Sequence, residues 1–240
     1  MFAAEAEGLR SLRDAAERAN GPRVPEPFAW GIDGGTQFIL MEYIPPGRPG
    51  PRYAEDFGRA LASMNADRHE TRFGFAGDNF IGATPQINTW SSDWVSFFGQ
   101  RRLEYQIRRA EKQGFASVSL VRDVERLIDR LGVLLPANVA PSLLHGDLWS
   151  GNAAADGGGS AVIVDPATYY GHYEAELAMT ELFGRFPEKF YAAYNEVLPI
   201  DVEYTATRST LYGLYHILNH LNLFGGGYAG QAQSMVRRLL

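Results

Sequence analysis

The sequence contains no cysteine, which excludes disulfides, thiolate zinc sites and a cysteine nucleophile together. Lysine is nearly absent too: Lys112 and Lys189 are the only two among 22 basic residues. No apolar run reaches the roughly 18 residues that a membrane span needs. The opening Met1-Phe2-Ala3-Ala4-Glu5 lacks the basic and apolar blocks of a signal peptide. A basic excess is missing as well. The net charge is −6, so neither a nucleic-acid nor a membrane partner is expected. These absences point to a cytoplasmic protein. What remains is 240 residues, 45% hydrophobic and 21% charged, enough for one large domain or two lobes around a cleft.

Periodicity predicts a helix over 2–19, with Phe2, Ala6, Leu9, Leu12 and Ala16 on one face and a stop at Asn20-Gly21-Pro22. Phe28 to Ile32 and Phe38 to Ile44 read as strands joined across Asp33-Gly34-Gly35-Thr36, a hairpin signal. Pro45-Pro46-Gly47-Arg48-Pro49-Gly50-Pro51 then interrupts the pattern. The division expected is a small β-containing piece, 1–44, and a large helical piece, 45–240. Helices are predicted over 53–65, from about 91 through Tyr105, from Leu120 to Leu134, and over 174–183, 188–196, 204–223 and 230–240. Ala161 to Val164 reads as a short buried strand. The class is α+β with two lobes.

The chemistry concentrates in Leu143-Leu144-His145-Gly146-Asp147-Leu148-Trp149-Ser150-Gly151-Asn152, followed by Val162-Ile163-Val164-Asp165-Pro166. Asp147 and Asn152 share a loop, and Asp165 ends a strand that can return beside it. Two carboxylates and an amide offer only hard oxygen ligands, which suit Mg²⁺ better than zinc. One carboxylate can stay off the metal and accept a proton from an attacking hydroxyl. An Asp base with Asn and Asp on Mg²⁺ is the minimal apparatus for phosphoryl transfer to an alcohol. Ser150 lacks the Gly-x-Ser-x-Gly frame of a hydrolase nucleophile. His145 has no second histidine at ligand spacing and reads as a loop brace.

The loop resembles the catalytic loop of aminoglycoside phosphotransferases within the protein-kinase-like folds. His-Gly-Asp-Leu-Trp-Ser-Gly-Asn, then Asp165-Pro166-Ala167-Thr168-Tyr169-Tyr170-Gly171, Asn88-Thr89-Trp90 and Leu218-Asn219-His220-Leu221-Asn222-Leu223-Phe224-Gly225-Gly226 are similar to the fructosamine kinase (ketosamine-3-kinase) family in particular. The resemblance spans essentially the whole chain. It implies ATP-dependent phosphorylation of the sugar 3-hydroxyl of a small or protein-bound ketosamine, in support of deglycation.

Carried over by position, the resemblance makes Asp147 the catalytic base and Asn152 and Asp165 the Mg²⁺ ligands. Met41-Glu42-Tyr43-Ile44 becomes the hinge that holds the ATP adenine edge through backbone groups; alone it would read as an apolar strand end. Glu5 becomes the helix glutamate that orients an ATP-binding lysine, although a carboxylate near a helix N-terminus is also favoured by the dipole. Trp149, His220 and, less directly, Asn219 become substrate-side residues, where Trp149 alone would read as core. Glu174 and Glu176 are expected to brace the catalytic loop, while Phe190, Tyr191 and Tyr194 are core.

Family members carry a glycine-rich loop and a strand lysine ahead of the helix bearing Glu5, whereas here Met1 opens that helix. Lys112 and Lys189 both lie in the helical piece. The sequence therefore also carries a second reading, a pseudokinase or sugar-amine-binding protein with weak, Mg²⁺-dependent ATP binding.

Overall fold

The computed structural model describes all 240 residues. Helix α1 (Phe2–Ala19) buries Ala6, Leu9, Leu12, Ala15 and Ala16 on one stripe. It ends where Asn20 turns left-handed, at φ 52°, and a cap N–H returns to the Ala16 carbonyl. Strands β1 (Pro27–Asp33) and β2 (Thr36–Met41) pair antiparallel, with Trp30 opposite Ile39 and Asp33 opposite Thr36. Gly34 and Gly35, at φ 55° and 85°, make the turn that a side chain would strain. β2 stops three residues short of the predicted end. Glu42 N–H still reaches Glu26 O at 2.8 Å, but Tyr43 and Ile44 make no ladder bond.

Beyond the proline-rich connection come α2 (Tyr53–Ala66), a small hairpin of β3 (Asn79–Ile81) and β4 (Thr84–Gln86), and α3 (Trp94–Phe97). A π-helical stretch, Phe98–Glu104, joins α3 to α4 (Tyr105–Lys112). The single helix expected over 120–134 is two, α5 (Val118–Asp129) and α6 (Leu131–Leu134), separated where Arg130 N–H turns back to Leu127 O. Four short strands follow: β5 (Ser142–Leu144), β6 (Ala153–Ala155), β7 (Ala161–Ile163) and β8 (Tyr169–Gly171). The chain ends in α7 (Tyr173–Leu182), α8 (Glu188–Val197), a π-helical turn Tyr204–Arg208, α9 (Ser209–Phe224) and α10 (Ala229–Leu239).

The core is helical. From Leu211 to Asn219 α9 is buried on every side, as a helix wrapped by its neighbours must be. α2 and α8 meet so closely at Gly58 that a Cβ there would sit 2.2 Å from the Phe190 carbonyl. Phe190, Tyr191 and Tyr194 are buried, as expected. No helix is long and apolar enough to cross a membrane.

Two ribbons position the site. β5 pairs with β8, Leu144 opposite Tyr169, and β6 with β7, Ala153 opposite Ile163. The loop leaving β5 and entering β6 therefore lies beside the segment between β7 and β8. Asp147, Asn152 and Asp165 converge because both segments are anchored at each end.

Candidate active site

The loop from His145 to Asn152 is held from beneath. Glu176, fully buried in the first turn of α7, accepts the backbone N–H groups of both His145 and Gly146, the latter at 3.0 Å. His145 Nε2 lies 2.8 Å from the Val164 carbonyl, which can only accept, so Nε2 carries the proton. Nδ1 is then free to accept the Asp147 N–H at 3.3 Å. Burial holds the His145 pKa down at about 4, so the ring is a neutral brace. Glu174 does not share this task. Its carboxylate grips Arg208 at 2.6 and 2.9 Å inside the core, so of the two glutamates expected to brace the loop only Glu176 does.

Asn152 Nδ2 donates to the Asp147 carbonyl at 2.9 Å and approaches Asp147 Oδ2 at 3.5 Å and the Asp165 carbonyl at 3.4 Å. The amide thus ties both carboxylate-bearing segments together and leaves its own Oδ1 free. Asp165 has φ 56°, one of two non-glycine residues in the left-handed region, a strained geometry that the surrounding bonds must enforce.

Two cavities meet at these carboxylates. One, of about 330 Å³, is lined by Phe2, Glu5, Asn79, Asp147 and Asp165 among others. The second, about 360 Å³, is lined by Asp147, Trp149, Asn152, Asp165, Asn219 and His220. Neither wall carries a lysine or arginine. Burial first, and Asp165 second, push the Asp147 carboxyl up to about 7. Glu5, half-buried on α1, is raised by burial and then by Asp165. Three acidic side chains with no basic side chain on either wall make a cleft that favours a cation. The oxygens of Asn152 and Asp165 fit a hard divalent ion such as Mg²⁺.

The second cavity is aromatic. Trp149 is 38% exposed and lays its ring on Gly151, where a Cβ would sit 2.3 Å from it. His220 stacks near Phe183, ring centroids 4.5 Å apart, and its Nδ1 bonds the His216 carbonyl at 2.8 Å. Burial lowers its pKa, leaving a neutral ring with Nε2 as acceptor. Asn219 reaches the wall but is only 2% exposed. Phe183, Phe224 and Tyr228 complete the wall, and reading the sequence alone misses all three. Phe224 lies in the family-like string 218–226 without being singled out there, and for Phe183 and Tyr228 the one signal is aromatic character, which buried core residues such as Phe190 and Tyr194 share.

A third cavity, about 350 Å³, lies between Met41, Glu42, Tyr43 and Ile44 on one side and Ala154, Ala155, Val162 and Val164 on the other. The Glu42 side chain turns away to Arg23 at 2.6 Å, and its N–H is occupied by Glu26. The Tyr43 and Ile44 amides make no intrachain bond and remain available to a planar ligand edge.

A family model, fructosamine kinase, matches residues 1–240. A probable ketoamine kinase of Synechocystis is 44% identical, over 100% of this chain and 79% of its own length. The chloroplastic protein-ribulosamine 3-kinase of Arabidopsis thaliana is also 44% identical, over 98% of this chain and 71% of its own. The crystal structure of a candidate fructosamine-3-kinase from Thermobifida fusca superposes with a TM-score of 0.88 at 37% identity, covering 100% of this chain and 80% of that one. An aminoglycoside phosphotransferase, at 17% identity and a TM-score of 0.59 over 96% of this chain and 83% of that one, shares the fold.

Proposed function

The chain belongs to the fructosamine kinase family, and we propose on that footing that it transfers the γ-phosphoryl group of ATP to the sugar 3-hydroxyl of a ketosamine. Asp147 is the base. It accepts the hydroxyl proton as that oxygen bonds to the γ-phosphorus and the bond from phosphorus to the β–γ bridging oxygen breaks, releasing ADP. A carboxyl held near neutrality by burial and by Asp165 suits this exchange. Asn152 and Asp165 would hold Mg²⁺, whose charge offsets that of the phosphate oxygens in an otherwise acidic cleft. The Tyr43 and Ile44 amides take the adenine edge, and residues 1–44 form the N-terminal lobe above the hinge. Trp149 and the acceptor Nε2 of His220 flank the sugar, with Asn219 behind them. Phosphorylation at that hydroxyl serves deglycation.

The observation that carries this reading is the meeting of two cavities at Asp147 and Asp165, one toward Glu5 and one aromatic. A non-catalytic sugar-amine-binding protein, the second reading of the sequence, has no counterpart in the names of these relatives. The decisive experiment incubates the protein with Mg-ATP and an N-substituted 1-amino-1-deoxyfructose, following ADP release and the phosphorylated carbon by NMR. Release no faster than with Asp147→Asn would overturn the proposal.

A further inference from the structure

A chain of buried polar side chains ends on the backbone that carries Asp165. Arg102, in the π-helical stretch, is fully buried without a carboxylate partner. Its guanidinium lies 4.1 Å from the Tyr169 ring centroid and 4.6 Å from that of Phe97. It donates to the Ile87 carbonyl at 2.7 Å and to Asn88 Oδ1 at 2.8 Å. Because arginine only donates, Asn88 must turn its oxygen toward it and its Nδ2 toward Asn79 Oδ1, 2.9 Å away. Asn79 must then turn its own Nδ2 the other way, where it donates to the Thr168 carbonyl at 2.7 Å. Gln86 is fixed in parallel. Its Oε1 accepts Tyr215 Oη–H at 2.6 Å, and its Nε2 donates to the Ala167 carbonyl at 3.0 Å and to Asn79 Oδ1 at 2.8 Å. Asn79, Gln86 and Asn88 are 5%, 1% and 1% exposed.

The polarity of the relay is set by a residue that can only donate and ends on two carbonyls that can only accept. No amide can flip without leaving a buried polar group unpaired, at a cost well above that of an ordinary lost bond. The carbonyls so held belong to the second and third residues after Asp165. The Ala167 N–H is itself bonded to the His145 carbonyl at 2.8 Å, so the clamp also reaches the Asp147 loop. Gly146, at φ 82°, allows this approach: a Cβ there would stand 2.2 Å from the Ala167 carbonyl.

We propose that Gln86 and Arg102 are positioning residues for the phosphoryl-transfer site: through Asn79 and Asn88 they clamp the carbonyls of Ala167 and Thr168 and so hold Asp165 in its left-handed conformation facing Asp147. The inference rests on the reading of Asp165 as a metal ligand. Outer-shell partners of a ligand typically change metal affinity or activity by about tenfold to a hundredfold.

The test uses Gln86→Met, which keeps length and volume but removes the two donated bonds and the one accepted from Tyr215, and Arg102→Lys, which keeps the charge but not the fork. Leu127→Ala, in the α5 core, supplies a comparable loss of thermal stability far from the site. Mn²⁺ binding is followed by electron paramagnetic resonance with a non-hydrolysable ATP analogue, beside steady-state kinetics. Gln86→Met and Arg102→Lys are expected to weaken Mn²⁺ binding and lower kcat by about tenfold or more. The KM for the ketosamine should stay within about twofold, because the aromatic wall of that pocket, Trp149, Phe183 and His220, makes none of the clamp's hydrogen bonds. Leu127→Ala should move only the melting temperature. Gln86→Met behaving like Leu127→Ala, while Asp165→Asn loses Mn²⁺, overturns the clamp and leaves the function reading intact. Asp165→Asn binding Mn²⁺ as the parent does overturns the reading of Asp165, and the clamp with it.

Discussion

Asp147 and Asn152 lie five residues apart, and Asp165 follows at the end of a buried strand; that order is what makes them legible in the sequence itself. Asp147 and Asn152 sit in one short stretch, and only the return of Asp165 depends on pairing farther along the chain, of β5 with β8 and β6 with β7. Asp147→Asn should lower kcat about a hundredfold to ten-thousandfold, the range for removing a general base, with KM values little changed. A fall of less than about tenfold in single-turnover rate would place the base elsewhere. Trp149 belongs to the same legible stretch, although its partner Gly151 does not announce itself. Trp149→Ala should raise the KM for the ketosamine about threefold to tenfold, the worth of one stacked aromatic face, and leave the KM for ATP unchanged. An unchanged ketosamine KM would put the sugar outside the aromatic wall. Glu174 and Glu176 show the limit of residue-scale reading. Both occupy the first turn of α7, and only the three-dimensional path of the chain decides that one meets His145 and Gly146 and the other Arg208.

At the scale of elements, α1 is legible to the residue because its apolar stripe and its αL stop both obey local rules. The β3–β4 hairpin and the two π-helical stretches are not. Three-residue strands are too short for a period, and π turns are set by packing, here around buried Arg102 in the first stretch and buried Arg208 in the second. The alternation Thr84, Gln86, Asn88 is the one trace of the hairpin, and polar alternation ordinarily marks an exposed strand. How α1 docks is equally hidden. A Cβ on Gly8 would stand 2.8 Å from Thr168 Oγ1 and 3.3 Å from Thr168 Cβ; the hydroxyl can rotate away, but Cβ moves only with the backbone, whose carbonyl Asn79 holds. Gly8→Ala should therefore lower the melting temperature even though alanine is the better helix former by about 1 kcal/mol. Gly230→Ala in α10, with nothing within 4 Å of the new methyl, should raise it. Gly8→Ala stabilising as much as Gly230→Ala would show that α1 does not bear on the Asp165 segment. The β1–β2 hairpin should be the least protected element in amide exchange. Phe28, Ile32 and Leu40 are 56%, 72% and 56% exposed, and a two-stranded sheet is marginal alone. Protection there equal to that of α9 would contradict this.

At the scale of the whole molecule, the fold balances buried groups of opposite acid–base character. His145, His172 and His216 are held at about 4, 3 and 3, in each case chiefly by burial. The unfolded chain binds these three protons near pH 6.5 and the native state does not. Below that pH the unfolded state therefore holds more protons, and stability falls as pH falls. Asp147 and Glu176 act in the opposite sense. Burial raises both to about 7, so between about pH 5 and 7 the native state holds protons that the unfolded carboxylates have released. The two sets nearly cancel at pH 6.5, where the unfolded histidines are only half protonated, and leave a net uptake that grows to about one proton by pH 5, so stability falls on acidification by roughly 1 kcal/mol per pH unit at the lower end of that window. Removing one opposing carboxyl exposes the balance: Asp147→Asn should make the loss about twice as steep. Urea unfolding at pH 6.5, 5.75 and 5.0 with a chelator present measures both slopes. A parent protein that gains stability on acidification would mean that the buried histidines are charged in the native state. An Asp147→Asn slope no steeper than the parent's would mean that Asp147 is already ionised there, and that the free cleft tolerates its carboxylates without a cation.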